Sequence, residues 1–129
     1  LKIKNGEDFI DRNGNTIPNH QLTFPAREPR SYAFCSDTAY DPTIVEFIKG
    51  ANILYHESTF AENLAKRAEE TGHSTAKQAA QIAHLAGVKK LLLGHFSARY
   101  KDLSIFEQEA KTIFSEVENV IEGQTYKID

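Results

Sequence analysis

Two hydrophobic rhythms alternate along the middle of this chain. "SYAFCS" at 31–36, "ANILYHES" at 51–58 and the apolar run from Val88 to Leu93 are short, nearly continuous apolar stretches of strand length. Between them the spacing turns helical. "TIVEFIKGA" puts Ile44, Val45, Phe47 and Ile48 on one apolar face; Asp41-Pro42 opens it, with proline suited to a first helical turn, and it stops near Gly50. "FAENLAKRAEETG" reads as a helix polar on one side, closed by Gly72 beyond its C-terminus. Ser74 or Thr75 can cap the next helix, where Ala76, Ala79, Ala80, Ile82, Ala83 and Ala86 recur on one side. Ser104 and Glu107 have capping-box spacing for a last helix to about Ser115, with Ile105, Phe106, Ala110, Ile113 and Phe114 inward.

The flanks read differently. Residues 1–24 suggest short strands and turns, with Asn5-Gly6 and Asn13-Gly14 as turn signals. The segment 25–29, "PAREP", is a loop, because proline fixes φ and discourages regular pairing. "NVIEGQTYKI" suggests a closing hairpin around Glu122-Gly123. The alternation of strand and helix between these flanks predicts an α/β layer, in which ligands gather beyond the carboxyl ends of the strands.

Composition narrows the function classes. The 129 residues are 40% hydrophobic and 26% charged, enough for one domain with its own core. No apolar run is long enough to span a bilayer, so no membrane role is expected. A net charge of −3 argues against a broad polyanion-binding surface, though not against a local basic patch. One cysteine, Cys35, leaves no intrachain disulfide and fits a reducing compartment. The chain opens at Leu1 without an initiator methionine, and the expectation is a piece of something longer that is not secreted.

Candidate chemistry sits where the strands end. Asp37 follows the first apolar run, His56-Glu57 ends the second, and His95 follows the third; His73 stands at a helix boundary. Singly, such residues usually serve as turns, caps or structural histidines. Together, a glutamate, an aspartate and two histidines on one predicted edge suit zinc or manganese, or a proton relay between a histidine and a carboxylate. Arg99 and Lys101, just past His95, could hold phosphate oxygens. His20 and His84 fall outside this group, and Cys35 reads as a strand residue rather than a nucleophile. The aromatic residues are scattered as core residues and form no base-stacking series.

Four short motifs then occur in order: "SDT" at 36–38, "HEST" at 56–59, "GHST" at 72–75 followed by "QAA" at 78–80, and "GHFSARY" at 94–100. Any one is weak, but the ordered set from about residue 30 to 128 resembles the C-terminal half of ribonuclease Z, the tRNA 3′-processing endonuclease of the metallo-β-lactamase fold. The resemblance implies an α/β chain forming half of a four-layer αββα sandwich, one sheet with helices on its outer face. It implies that residues 1–129 are a single C-terminal portion of a longer enzyme whose N-terminal half is absent. The activity implied is zinc-dependent hydrolysis of precursor tRNA after the discriminator nucleotide, by a cytoplasmic homodimer holding two zinc ions per complete site; the alternatives are another phosphodiesterase of the same fold or a metal-free α/β binding or dimerisation module.

Residue by residue, the resemblance implies that Asp37 bridges the two zinc ions and His95 completes the second zinc site. Glu57, in "HEST" where the family usually has His-Glu-Ala-Thr, supports the catalytic histidine. His73 is that histidine, which meets the scissile phosphate and protonates the leaving 3′ oxygen. Arg99 and Ser97 hold phosphate. The family's His-x-His-x-Asp-His motif and a further histidine ligand are missing upstream of Asp37, where His20 is the only histidine. No inserted tRNA-gripping arm is present either. The expectation is a chain that carries half of an active site and is inactive alone, its inner sheet face exposed or used for self-association.

Overall fold

Four parallel strands form the centre of the computed structural model, which describes residues 2–129. They are β3 (Tyr32–Cys35), β4 (Ile53–Glu57), β5 (Lys90–Gly94) and β6 (Val117–Asn119), in the spatial order of the sequence. Cys35 lies opposite His56, Glu57 opposite Gly94, and Leu93 opposite Asn119. Because all four run the same way, the residues after β3, β4 and β5 emerge at one edge. Ahead of the sheet, β1 (Phe9–Ile10) and β2 (Thr16–Ile17) make a separate antiparallel hairpin, followed by the one-turn helix α1 (Asn19–Leu22).

Alternation along the strands divides the sheet into two faces. On one face Leu54, Leu91 and Leu93 meet the helices: α2 (Val45–Ile48), α4 (Ala76–Ala86) and α5 (Ser104–Lys111). The five buried alanines of α4 carry no bulk, so the helix seats close to the sheet around buried Ile82. Phe106 and Ala110 of α5 and Val117 of β6 close the same core. α3 (Ala65–Thr71) buries Ala68 and ends at Gly72, whose φ of +72° fits the left-handed C-terminal cap. Thr75 caps α4 in a complete capping box with Gln78, as its spacing predicts.

The opposite face is only partly covered. Phe34 stacks on Tyr55 at 4.7 Å between ring centres, yet Phe34 remains 63% exposed. The chain end crosses part of this face: Tyr126 and Ile128 line a hollow with Tyr32, Ile53 and Leu92. Asn52 donates to the Asp129 carbonyl and Arg30 to that of Ile128.

Several expectations from the sequence need correction. The closing hairpin does not form; Val117–Asn119 instead adds a fourth parallel strand to β5, and only a turn occurs at Gly123. A three-residue strand is too short to show a pattern, and its partner is distant in the chain. The Ser104–Glu107 capping box is also absent. Asp102 accepts from both the amide and the hydroxyl of Ser104, while Glu107 accepts from the Lys111 ammonium and the Asn119 amide. The last helix ends at Lys111, short of Ser115, and Ile105 is exposed. Phe47 lies 89% exposed rather than inward, because the helix expected there is a 3-10 turn, Pro42–Ile44, followed by the single α turn of α2.

Candidate active site

Glu57, at the end of β4, is the centre of the site. Its side chain is fully buried, and five donors converge on its two oxygens. Oε1 accepts from the Thr38 amide at 3.1 Å and from His73 Nδ1 at 2.7 Å. Oε2 accepts from the Thr59 amide at 3.0 Å, the Thr59 hydroxyl at 2.8 Å and the Ser74 amide at 3.2 Å. A buried carboxylate is tolerable only with such a donor set. Its saturation also means that Glu57 has no oxygen left over to act as a metal ligand. It instead holds together three segments, after β3, after β4 and before α4.

His73 and His95 stand side by side above this carboxylate, their rings stacked at 5.3 Å and 27°. His73 turns Nδ1 to Glu57, so Nε2 points away from it. His95 turns Nδ1 to the Thr59 hydroxyl at 2.9 Å, and its Nε2 lies 3.2 Å from Asp37 Oδ1. His95 has φ of +60°, the one described non-glycine residue in the left-handed region. That backbone costs on the order of 1 kcal/mol or more for a residue with a Cβ, and such strain gathers at functional sites. Just before it, Gly94 leaves room for Tyr55: a Cβ there would lie 2.6 Å from Tyr55 Cε2.

Ligand atoms of Asp37, Glu57, His73 and His95 all lie within 4.8 Å of one another. Their donor chemistry fits a divalent metal, with one qualification that the hydrogen bonds impose. Asp37 and His95 aim a carboxylate oxygen and a ring nitrogen at one point and are half-exposed, a pair suited to zinc. Glu57 is saturated, and His73 spends one nitrogen on it. Two ligands are short of the four a tetrahedral zinc needs, so the described residues could fill only part of a coordination shell.

The remaining predicted residues lie in the loop after His95. The Ser97 amide donates to the Thr59 carbonyl at 3.1 Å, which ties this loop to the end of β4. Arg99 donates from Nε to Ser97 Oγ at 3.2 Å and lies over the Phe60 ring at 5.2 Å. Phe60 in turn meets the edge of His73. Lys101 is exposed farther along the loop. An apolar cleft lined by Tyr55, Phe96, Tyr100 and Ile121 opens beside His95 and Ser97. His20 and His84 are exposed on α1 and α4, away from the cluster. Burial pushes the Cys35 thiol up, as for a packed strand residue.

Thr59 and Thr38 are the contributors that motif reading passed over. Thr59 was visible only as the last letter of "HEST", and nothing in its type separates it from an ordinary loop threonine. Burial likewise pushes the His56 imidazole below its ordinary value; its Nδ1 meets the Glu57 carbonyl at 2.7 Å, and its Nε2 has no partner.

The fold is shared with solved proteins. The metallo-β-lactamase fold protein YhfI from Bacillus subtilis superposes with a TM-score of 0.66 at 28% identity, over 70% of this chain and 37% of its own. The short form of human tRNase Z gives 0.55 at 30% identity, over 74% and 31%. The chain thus has the architecture of one part of a metallo-β-lactamase fold. In sequence it is a homologue of ribonuclease Z. It is 58% identical to the ribonuclease Z of Bacteroides thetaiotaomicron over 113 residues, 88% of this chain and 36% of the relative. To that of Parabacteroides distasonis it is 55% identical over the same share, against 37% of the relative. To that of Cytophaga hutchinsonii it is 45% identical over 128 residues, 98% of this chain and 41% of the relative. The chain therefore spans little more than a third of the length of these relatives. No family model matches it.

Proposed function

We propose that this chain is the C-terminal portion of a zinc-dependent endoribonuclease that removes 3′ trailers from precursor tRNA. The observation that carries the reading is the single buried carboxylate, Glu57, that orders a free-edged histidine, His73, beside the facing pair Asp37 and His95. The 58% identity to a ribonuclease Z supports the choice of substrate.

In this reading Asp37 and His95 hold zinc, with the other ligands coming from chain outside these residues. Zinc ions, when bound, supply a nucleophilic water at neutral pH and neutralise phosphoryl charge. His73 presents Nε2 to the leaving 3′ oxygen and delivers a proton as the phosphorus–oxygen bond breaks, leaving a 3′ hydroxyl on the tRNA and a phosphate on the trailer. Glu57 fixes the ring for that task through Nδ1. Arg99, steadied on Phe60 and Ser97, offers its guanidinium to a phosphate, with Ser97 in the same loop. Alone, with two free ligands, the chain holds no dinuclear site and does not cleave. The part-exposed sheet face then belongs against the missing half, and the assembled enzyme is a cytoplasmic homodimer.

The test is to incubate the longer protein that carries this chain with a trailer-bearing precursor tRNA and zinc, and to map both product ends. A tRNA ending in a 3′ hydroxyl at one site is expected. Cleavage confined to small phosphodiesters, with precursor tRNA untouched, would sink the proposal.

A further inference from the structure

The Thr59 hydroxyl stands between the two histidines and the buried carboxylate. It lies 2.8 Å from Glu57 Oε2, 2.9 Å from His95 Nδ1 and 3.2 Å from His73 Nδ1. We infer that Thr59 is a positioning residue that fixes the ring proton of His95 on Nδ1, keeping the Nε2 lone pair for metal. This rests on the metal-binding role proposed above for His95.

The proton count leads there. A hydroxyl has one hydrogen to give and two lone pairs to receive. Glu57 Oε2 already accepts two amides, from Thr59 and Ser74, and so meets the hydroxyl as acceptor too. The single hydroxyl proton is thereby committed, and Thr59 Oγ1 can only accept from its other neighbours. His73 Nδ1 is the more distant, and it gives its proton to Glu57 Oε1 at 2.7 Å. His95 Nδ1 is therefore the donor to Thr59, which leaves Nε2 unprotonated in the neutral ring. That lone pair faces Asp37 Oδ1 at 3.2 Å. Two acceptors set toward each other are reconciled by a cation between them. Without Thr59, the ring is free to carry its proton on Nε2 and donate to Asp37, closing the ligand pair on itself. One carboxylate thus sets both histidines, His73 directly and His95 through one hydroxyl.

Thr59 is 7% exposed, and Thr59→Val keeps its shape while Glu57 Oε2 retains both amide donors. Tautomers are read by long-range 1H–15N NMR on metal-free protein, above the titration range of imidazole, near pH 8 or roughly so. Wild type and Thr59→Ser are expected to show His95 protonated on Nδ1, and Thr59→Val to move the proton to Nε2. In the longer protein that carries this chain, competition with a chelator should show zinc held about 10–100-fold more weakly by Thr59→Val, with Thr59→Ser close to wild type. Wild-type His95 protonated on Nε2 would overturn the inference even if the valine variant does not fold, as would equal zinc affinity in wild type and Thr59→Val. The expected tautomers with no zinc affinity in the longer protein would instead overturn the functional reading and leave the hydrogen-bond role of Thr59 standing.

Discussion

Replacing Glu57 by glutamine changes one oxygen for an amide NH2 and almost nothing in shape. The five donors around it make the consequence calculable. With the NH2 at the Oε2 position it would face the amides of Thr59 and Ser74, orphaning two buried donors. With the NH2 at the Oε1 position only the Thr38 amide is orphaned, because His73 can turn an unprotonated Nδ1 toward the new donor. A buried donor left without a partner costs about 1–3 kcal/mol, so the second arrangement wins at about 1–3 against about 2–6 kcal/mol for the first. Glu57→Gln should therefore fold, lose about 1–3 kcal/mol, and invert the His73 tautomer. Glu57→Ala leaves all five donors orphaned beside a cavity and should lose about 5 kcal/mol or more, comparable with the whole stability of a small domain. Urea unfolding followed by circular dichroism measures both, provided the slope with denaturant is unchanged. Glu57→Gln within about 0.5 kcal/mol of wild type would refute the donor count and the claim that Glu57 organises the site.

Other parts of the structure can be tested more briefly. Gly94→Ala drives a methyl against the Tyr55 ring and should cost about 1–3 kcal/mol, with Tyr55→Ala in the same chain recovering part of it; additive losses in urea melts would show that the two do not touch. Thr75→Ala removes the α4 cap and should cost about 1 kcal/mol, against little for Thr75→Ser; equal losses for both would rule out capping as the cause. The depressed His56 value has a definite sign. Below the ordinary imidazole value of 6.5 the unfolded chain takes up a proton that folded His56 resists. Stability should then fall as pH drops through that value toward the lower folded one, and the fall should be shallower in His56→Asn. Identical pH dependence of the unfolding midpoint in both proteins would remove His56 as the cause.

What could be read from the sequence follows physical range. Strands β3, β4 and β5 and helix α4 were legible because their partners are each other: apolar runs of strand length and an alanine stripe of helical period state a local rule. The β6 strand was not, since three residues carry no period and their pairing with Leu91–Leu93 is set by packing far along the chain. Glu122-Gly123 is a true turn signal, with φ of +79° at the glycine, but a turn does not ensure a hairpin. The capping box at Ser104 failed because Asp102, two residues earlier, competes for the same amide. In the site, the four residues the structure brings together, Asp37, Glu57, His73 and His95, were picked out from strand-end position and motif order. Thr59 could not be, because its importance lies in three distances rather than in its type.

The central claim is a division of labour across one edge: Asp37 and His95 for metal, His73 for the leaving group. It is tested most directly by measuring zinc content and precursor tRNA cleavage together for Asp37→Ala, His95→Ala and His73→Ala in the longer protein that carries this chain. The account predicts that the first two lose zinc and cleavage alike. It predicts that His73→Ala keeps its zinc and cleaves slower by about 10²–10⁴-fold. Full cleavage by His73→Ala, or full zinc with undiminished cleavage in Asp37→Ala, would contradict it.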